Sequence, residues 1–141
     1  MRLRKLLGVL LLGGLLFGLV SAWKPRVPTA ASCNEVWEHD VDEKSWGTSK
    51  FVWAGVHAKV LICNGRFVRI IPDPNHNPPS PNLVAEAQGV QVINNETFVD
   101  VKKWEKAYAH IDYIDPETGD RTYVHAEIPT SGPADERRVR P

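Results

Sequence analysis

Alternating apolar and polar side chains dominate the middle of the chain and predict strands rather than helices. In VHAKVLICNGRFVRII, residues 56–71, Asn64-Gly65 tolerates the positive φ angles of a type I′ turn. That turn places Cys63 opposite Arg66, Leu61 opposite Val68 and Lys59 opposite Ile70. The other face then holds Ala58, Val60, Ile62, Phe67, Arg69 and Ile71. Both faces are largely apolar, the pattern of a central hairpin buried on most of its surface.

A second hairpin is predicted in YAHIDYIDPETGDRTYVHAE, residues 108–127. With Pro116 to Gly119 as the loop, Ile114 opposes Arg121, Asp112 opposes Tyr123 and His110 opposes His125. Alternation sorts the faces. Ala109, Ile111, Tyr113, Thr122, Val124 and Ala126 make a core face, and His110, Asp112, Ile114, Arg121, Tyr123 and His125 make a half-solvated one.

Between the hairpins, residues 72–81 carry five prolines and read as a loop, because proline cannot donate to a sheet ladder. NLVAEAQ at 82–88, followed by Gly89, reads as a short helix with a glycine cap. Residues 90–93 and 97–101 read as strands joined through Asn94-Asn95. A helix over 97–106 competes with the second of these, since Thr97 and Asp100 have capping-box spacing and Val101, Trp104 and Tyr108 would share a helical face.

The N-terminus breaks the alternation. Arg2, Arg4 and Lys5 precede an uncharged run from Leu6 to Val20 and small residues ending at Ala22, the layout of an export signal. The run lies between the length of a signal-peptide core and that of a membrane span, so residues 1–22 are either a cleaved signal or a membrane anchor. Residues 23–32 read as a linker, 33–128 as the folded domain, and 129–141 as a disordered tail. Cys33 and Cys63 both lie beyond the signal, in a compartment where thiols oxidise, and are expected to form one disulfide.

The whole chain has 17 Lys/Arg and 17 Asp/Glu, so loss of Arg2, Arg4 and Lys5 leaves an acidic product. A nucleic-acid ligand is disfavoured, because it requires a positive face to displace counterions from phosphates. The fold expected is an all-β domain, a small sandwich or partly open barrel of antiparallel hairpins with one disulfide and at most one short helix.

Three constellations carry candidate chemistry. His110 and His125, with Asp112 beside them, supply three ligands to zinc or another divalent metal. The same spacing suits a pH-sensing pair or a plain polar pair on a wet sheet. Glu35, Glu38, Asp40, Asp42 and Glu43 surround His39 in an acidic run that lacks the order of a calcium loop and reads as solvated. Trp37, Trp46 and Trp53 divide between core and ligand platform, with Trp46, next to Ser45 and Gly47, expected to be the exposed one.

No nucleophile elbow, HExxH, CxxC or phosphate-cradling glycine loop is present, so the expectation is not an enzyme. The leading expectation is an exported or membrane-tethered binding module at a cell envelope, its partner an envelope protein or glycan. The alternatives are a metal-dependent protein or small hydrolase using His110, Asp112 and His125, and an exported factor that blocks another envelope protein.

Overall fold

The computed structural model describes residues 31–132, and among them every regular element is a strand. The signal or anchor of residues 1–22, the linker up to residue 30 and the tail from residue 133 lie outside the described residues. Seven strands follow in order: β1 (Cys33–Trp46), β2 (Lys50–Cys63), β3 (Arg66–Ile71), β4 (Asn82–Gln88), β5 (Val92–Val99), β6 (Ala107–Ile114) and β7 (Arg121–Ile128).

They form two antiparallel sheets packed as a sandwich. In the first, β2 is central: β1 pairs along its whole length on one edge, while β4 and then β3 share the other edge. The second sheet runs β5-β6-β7. Successive side chains of a strand point to opposite faces, so Val52, Ala54, Val56, Ala58 and Val60 of β2 meet Ala107, Ala109, Ile111 and Tyr113 of β6 and Val124, Ala126 and Ile128 of β7. All of these are fully or almost fully buried. The small residues in facing positions let the sheets approach, and Ile111 and Tyr113 fill the volume.

The β6/β7 hairpin has the register expected of it, including Asp112 against Tyr123 and His110 against His125. The β2/β3 hairpin turns where expected, with Asn64 and Gly65 at φ 52 and 75°. Its register then departs from the simple ladder. Ile62 pairs with Phe67 but Leu61 pairs with Arg69, so Val68 is an extra residue in a bulge. Lys59 therefore faces Ile71, and Val60 faces Ile70. The bulge turns Ile70 inward, fully buried, and leaves Arg69 in solvent, where straight pairing would have buried the arginine.

NLVAEAQ is strand β4 rather than a helix, paired from Phe51↔Gln88 to His57↔Asn82. Helix propensity is a weak prior, and here it yields to the open edge of β2, whose backbone groups need partners. Gly89 is still required, at φ +68, where an added Cβ would lie 2.8 Å from Lys50 Cγ and 3.1 Å from Ser49 O. Where β3 ends and β4 begins, Ser80 fills the gap on the β2 edge. Its hydroxyl accepts from Lys59 N at 2.8 Å and donates to Ile71 O at 2.7 Å.

Residues 92–99 form one strand with an irregularity at Ile93, not two strands joined at Asn94-Asn95. The chain then turns instead of forming a helix. Asp100 accepts from the backbone amides of Lys102, Lys103 and Glu105 at 3.1, 3.2 and 3.4 Å, and these amides, that of Lys103 first, hold its carboxyl below the usual range. Val101 is 67% exposed, so the apolar helical face expected there does not exist.

Cys33 and Cys63, directly opposed at the end of the β1/β2 ladder, form the disulfide. Ser32 is already held by the domain, accepting from Asn64 N at 2.8 Å and donating its own amide to Asn64 Oδ1 at 3.2 Å. At the other end, Ser131 donates to Glu127 Oε1 at 2.6 Å, so the tail's first residues are also tied down.

The edges of the sandwich are stitched by side chains and loops. Asp42 Oδ2 accepts from His125 N at 2.9 Å, and Asp40 Oδ2 accepts from Glu127 N at 2.9 Å. The run read as solvated thus caps the outer edge of β7, and Asp42 is 5% exposed. On the far side Ile70 N donates to Trp104 O at 2.6 Å, and Asn95 Nδ2 donates to Ala85 O at 3.0 Å.

Two predictions follow from this stitching. Asp42→Ala leaves the His125 amide without its acceptor and is expected to destabilise the fold by about 1–3 kcal/mol, with Asp42→Asn losing less; urea unfolding midpoints measure both. Asp115 carries a carboxyl held low first by the Glu117 amide and then by Lys44, 3.3 Å away. A depressed carboxyl contributes stability above its unfolded pKa and loses it as pH falls through the folded value. Asp115→Asn is therefore expected to flatten the acid limb of a stability-against-pH curve, leaving the neutral limb lower but parallel.

Candidate functional site

Two outer faces carry the candidate residues. On the three-stranded sheet, register brings Glu96 of β5, His110 of β6 and His125 of β7 into one cross-strand row. The His125 amide points away from β6 toward Asp42, so His110 and His125 form a non-hydrogen-bonded pair, the kind whose side chains lie closest.

The two rings meet through their Nδ1 atoms, 2.9 Å apart. His110 Nε2 lies 3.0 Å from Asp112 Oδ1, and His125 Nε2 lies 3.3 Å from Glu127 Oε1. Beyond the carboxylates stand Arg121, 3.5 Å from Asp112, and Lys106, 3.6 Å from Glu127. Tyr123 stacks on His110 at 5.2 Å and Tyr108 tilts against His125 at 5.3 Å. The Tyr108 hydroxyl donates to Glu96 Oε1, a bond that raises the phenol's pKa. Glu96, Tyr108, His110, Tyr123 and His125 line an open cleft of ≈ 350 Å³.

The Asp112 carboxylate only accepts, so His110 Nε2 donates to it, and one proton joins the two Nδ1 atoms. Asp112 does not converge with the two Nδ1 atoms as the three-ligand reading required, since it engages the far nitrogen of His110. Among the described residues no group of three or more His, Cys, Asp or Glu is placed to hold a metal ion. Glu127 is a near neighbour of His125 at Nε2, where Asp112 is a hydrogen-bond partner of His110. Continuing the alternation of β7 by one step, from His125 to Glu127, was the signal for it; Glu96 depended on the β5 register and had no local signal.

The second face belongs to the four-stranded sheet. Odd-numbered residues of β1 and β2 point outward, so Trp37, His39 and Val41 lie beside His57, Gly55 and Trp53. Trp37 packs its ring against His57 at 5.0 Å and His76 at 4.5 Å. The Trp53 indole lies over Gly55, 3.5 Å from where a Cβ would stand. Trp53 is flanked across the strands by Glu43 of β1 and Glu86 of β4. Val41, Trp53, Gly55, His57, Pro78 and Val84 are among the residues lining a cleft of ≈ 240 Å³.

Trp46 is not on this face. Its even number turns it inward, where it is half-buried and meets Tyr113 edge-on at 5.8 Å, with Lys44 Nζ 5.4 Å above the ring. None of the three is the exposed tryptophan that the sequence led us to expect, because Trp37 and Trp53, although on the outer face, are themselves half-buried. Their separation of six positions along β2, from Lys59 opposite Trp37 to Trp53 itself, spans about 20 Å.

Comparison with known proteins finds no matching family, no matching curated protein and no matching solved structure. The chemistry of the two faces therefore carries the functional reading alone.

The proton arrangement is directly measurable. Imidazole ¹⁵N spectra are expected to show Nε2–H on His110 and a single proton joining the two Nδ1 atoms. A bare Nε2 on His110, facing Asp112, would contradict the geometry.

Proposed function

We propose that the protein is a non-enzymatic binding module exported to, or tethered at, a cell envelope, and that it holds an extended glycan on the outer face of its four-stranded sheet. The observation that carries this reading is the placement of Trp37 and Trp53 on one sheet face with His57 and Gly55 between them. Indole faces give apolar area on rigid side chains, and a sugar ring offers a matching flat C–H surface with hydroxyls at its rim.

Glu43 and Glu86 stand on either side of Trp53 and can accept from such hydroxyls, and Asn82 lies opposite His57. Two aromatic stations about 20 Å apart suit a polymer better than a single ring. The sheet beneath is rigid, so little conformational entropy is lost when the ligand docks. The export pattern at the N-terminus supports an envelope location, and the acidic balance left once Arg2, Arg4 and Lys5 are removed argues against nucleic acid.

Titration of the protein with soluble polysaccharide from its own envelope, followed by tryptophan fluorescence, tests the proposal. Trp53→Ala and Trp37→Ala are each expected to weaken binding about tenfold or more, as aromatic anchors do, whereas Trp46→Phe leaves it unchanged. Wild-type affinity in both the Trp37 and Trp53 variants would sink the reading, and loss in the Trp46 variant alone would move the site elsewhere.

A further inference from the structure

The outer face of the four-stranded sheet changes character between its two tryptophans. Outward side chains of β1, β2 and β4 fall into cross-strand rows, and two rows separate that of Trp37 from that of Trp53. The first is His39, His57 and Asn82, all polar. The second is Val41, Gly55 and Val84, which offers no polar side chain. The Trp53 indole leans toward Gly55 at the end of that second row, and Pro78 of the loop between β3 and β4 adds another apolar wall. Together these rows enclose the cleft of ≈ 240 Å³.

A bare sugar ring laid across both rows would press hydroxyl groups against valine methyls, where they find no hydrogen bond. Val41 is 42% exposed, so the apolar row is open to whatever lies on the face. One row away, Asn82 is half-buried and its carboxamide forms no hydrogen bond with another described residue. Among the described residues, no Lys, Arg, Asp or Glu lines the cleft. A carboxylate, sulfate or free amine on the sugar would therefore find no counter-charge within it, whereas a neutral substituent with an apolar end and a polar end matches both rows.

We propose that this cleft is a subsite for the acetamido group of an N-acetylated hexosamine. The inference rests on the glycan reading of the tryptophan face and names the sugar that the face selects. The acetamido methyl packs among Val41, Val84 and the Trp53 indole, and the amide turns toward Asn82. A carboxamide both donates and accepts, as does the acetamido group, so Asn82 has the matching partner for whichever edge the ligand presents.

The test titrates the full-length protein with two neutral β-1,4-linked hexasaccharides, chitohexaose and cellohexaose, followed by tryptophan fluorescence. They differ only in carrying an acetamido group or a hydroxyl at C2 of each ring. Chitohexaose is expected to bind about 10–100-fold more tightly, the discrimination that one small apolar group supplies in a fitted pocket. Saturation-transfer NMR should find the acetyl methyl to be the ligand group closest to the protein. Asn82→Leu and Val84→Ser should each lower the ratio of the two affinities about fivefold or more.

Equal affinities for the two sugars in the wild type would overturn the inference and leave the glycan reading standing. Binding of the envelope polysaccharide without binding of chitohexaose would do the same, and failure of all three ligands to bind would overturn both. A preference that survives undiminished in Asn82→Leu and Val84→Ser would put the acetamido group elsewhere and overturn the cleft as its subsite. The wild-type ratio and the NMR contact are read on the unaltered protein, so they decide the matter even where a variant fails to fold.

Discussion

The sandwich depends on how the outer edge of β7 is satisfied. An edge strand presents a row of unpaired amides, and a strand from a second sheet cannot both pair with β2 and ladder onto β7. β1 meets both demands by dividing its hydrogen bonds. Its backbone runs along β2, and its inward carboxylates Asp40 and Asp42 accept the Glu127 and His125 amides of β7. A charged acceptor strengthens these bonds, and the near-complete burial of Asp42 keeps water from competing. The two sheets are thereby held in one alignment, and the outward-facing residues of both inherit their positions from it.

That alignment separates the candidate chemistry into two independent faces. Because side chains alternate, the residues of β1 that stitch the sheets, Asp40 and Asp42, exclude Trp37, His39 and Val41 from the interior. The aromatic face is thus the reverse side of the stitch. On the other sheet, the His125 amide that donates to Asp42 makes His110 and His125 a close, non-hydrogen-bonded pair, so the same contact sets the approach of the two rings. A change at Asp42 should be felt in the histidine pair as well as in stability.

Legibility followed the range of the interactions. The β6/β7 register was readable because a short loop with Gly119 and a strict alternation of apolar positions leave a single pairing that buries Ile111, Tyr113, Val124 and Ala126 together. The β2/β3 turn was readable for the same reason, but the bulge at Val68 was not. What decides it is the contest between Arg69 and Ile70 for the core, and that contest appears only once the second sheet is in place. NLVAEAQ failed in a similar way: alanine and glutamate favour a helix locally, and only the vacant edge of β2 makes a strand of them. The acidic run misled because five carboxylates in sequence look solvated until alternate ones find amides on a strand far along the chain.

The sequence by itself determined the faces of β6 and β7, the Asn64-Gly65 turn and the meeting of His110 with His125, because each is set by alternation and by turns within a hairpin, and it determined the disulfide partners because the chain has two cysteines. Tertiary structure alone decided which tryptophans lie on the outer face, that Glu96 joins the histidines, and that Asp112 orients a ring instead of converging with both. These depend on which strands from distant parts of the chain lie side by side. That choice is made by filling sheet edges and excluding charge from the core, neither of which is a local property of the chain.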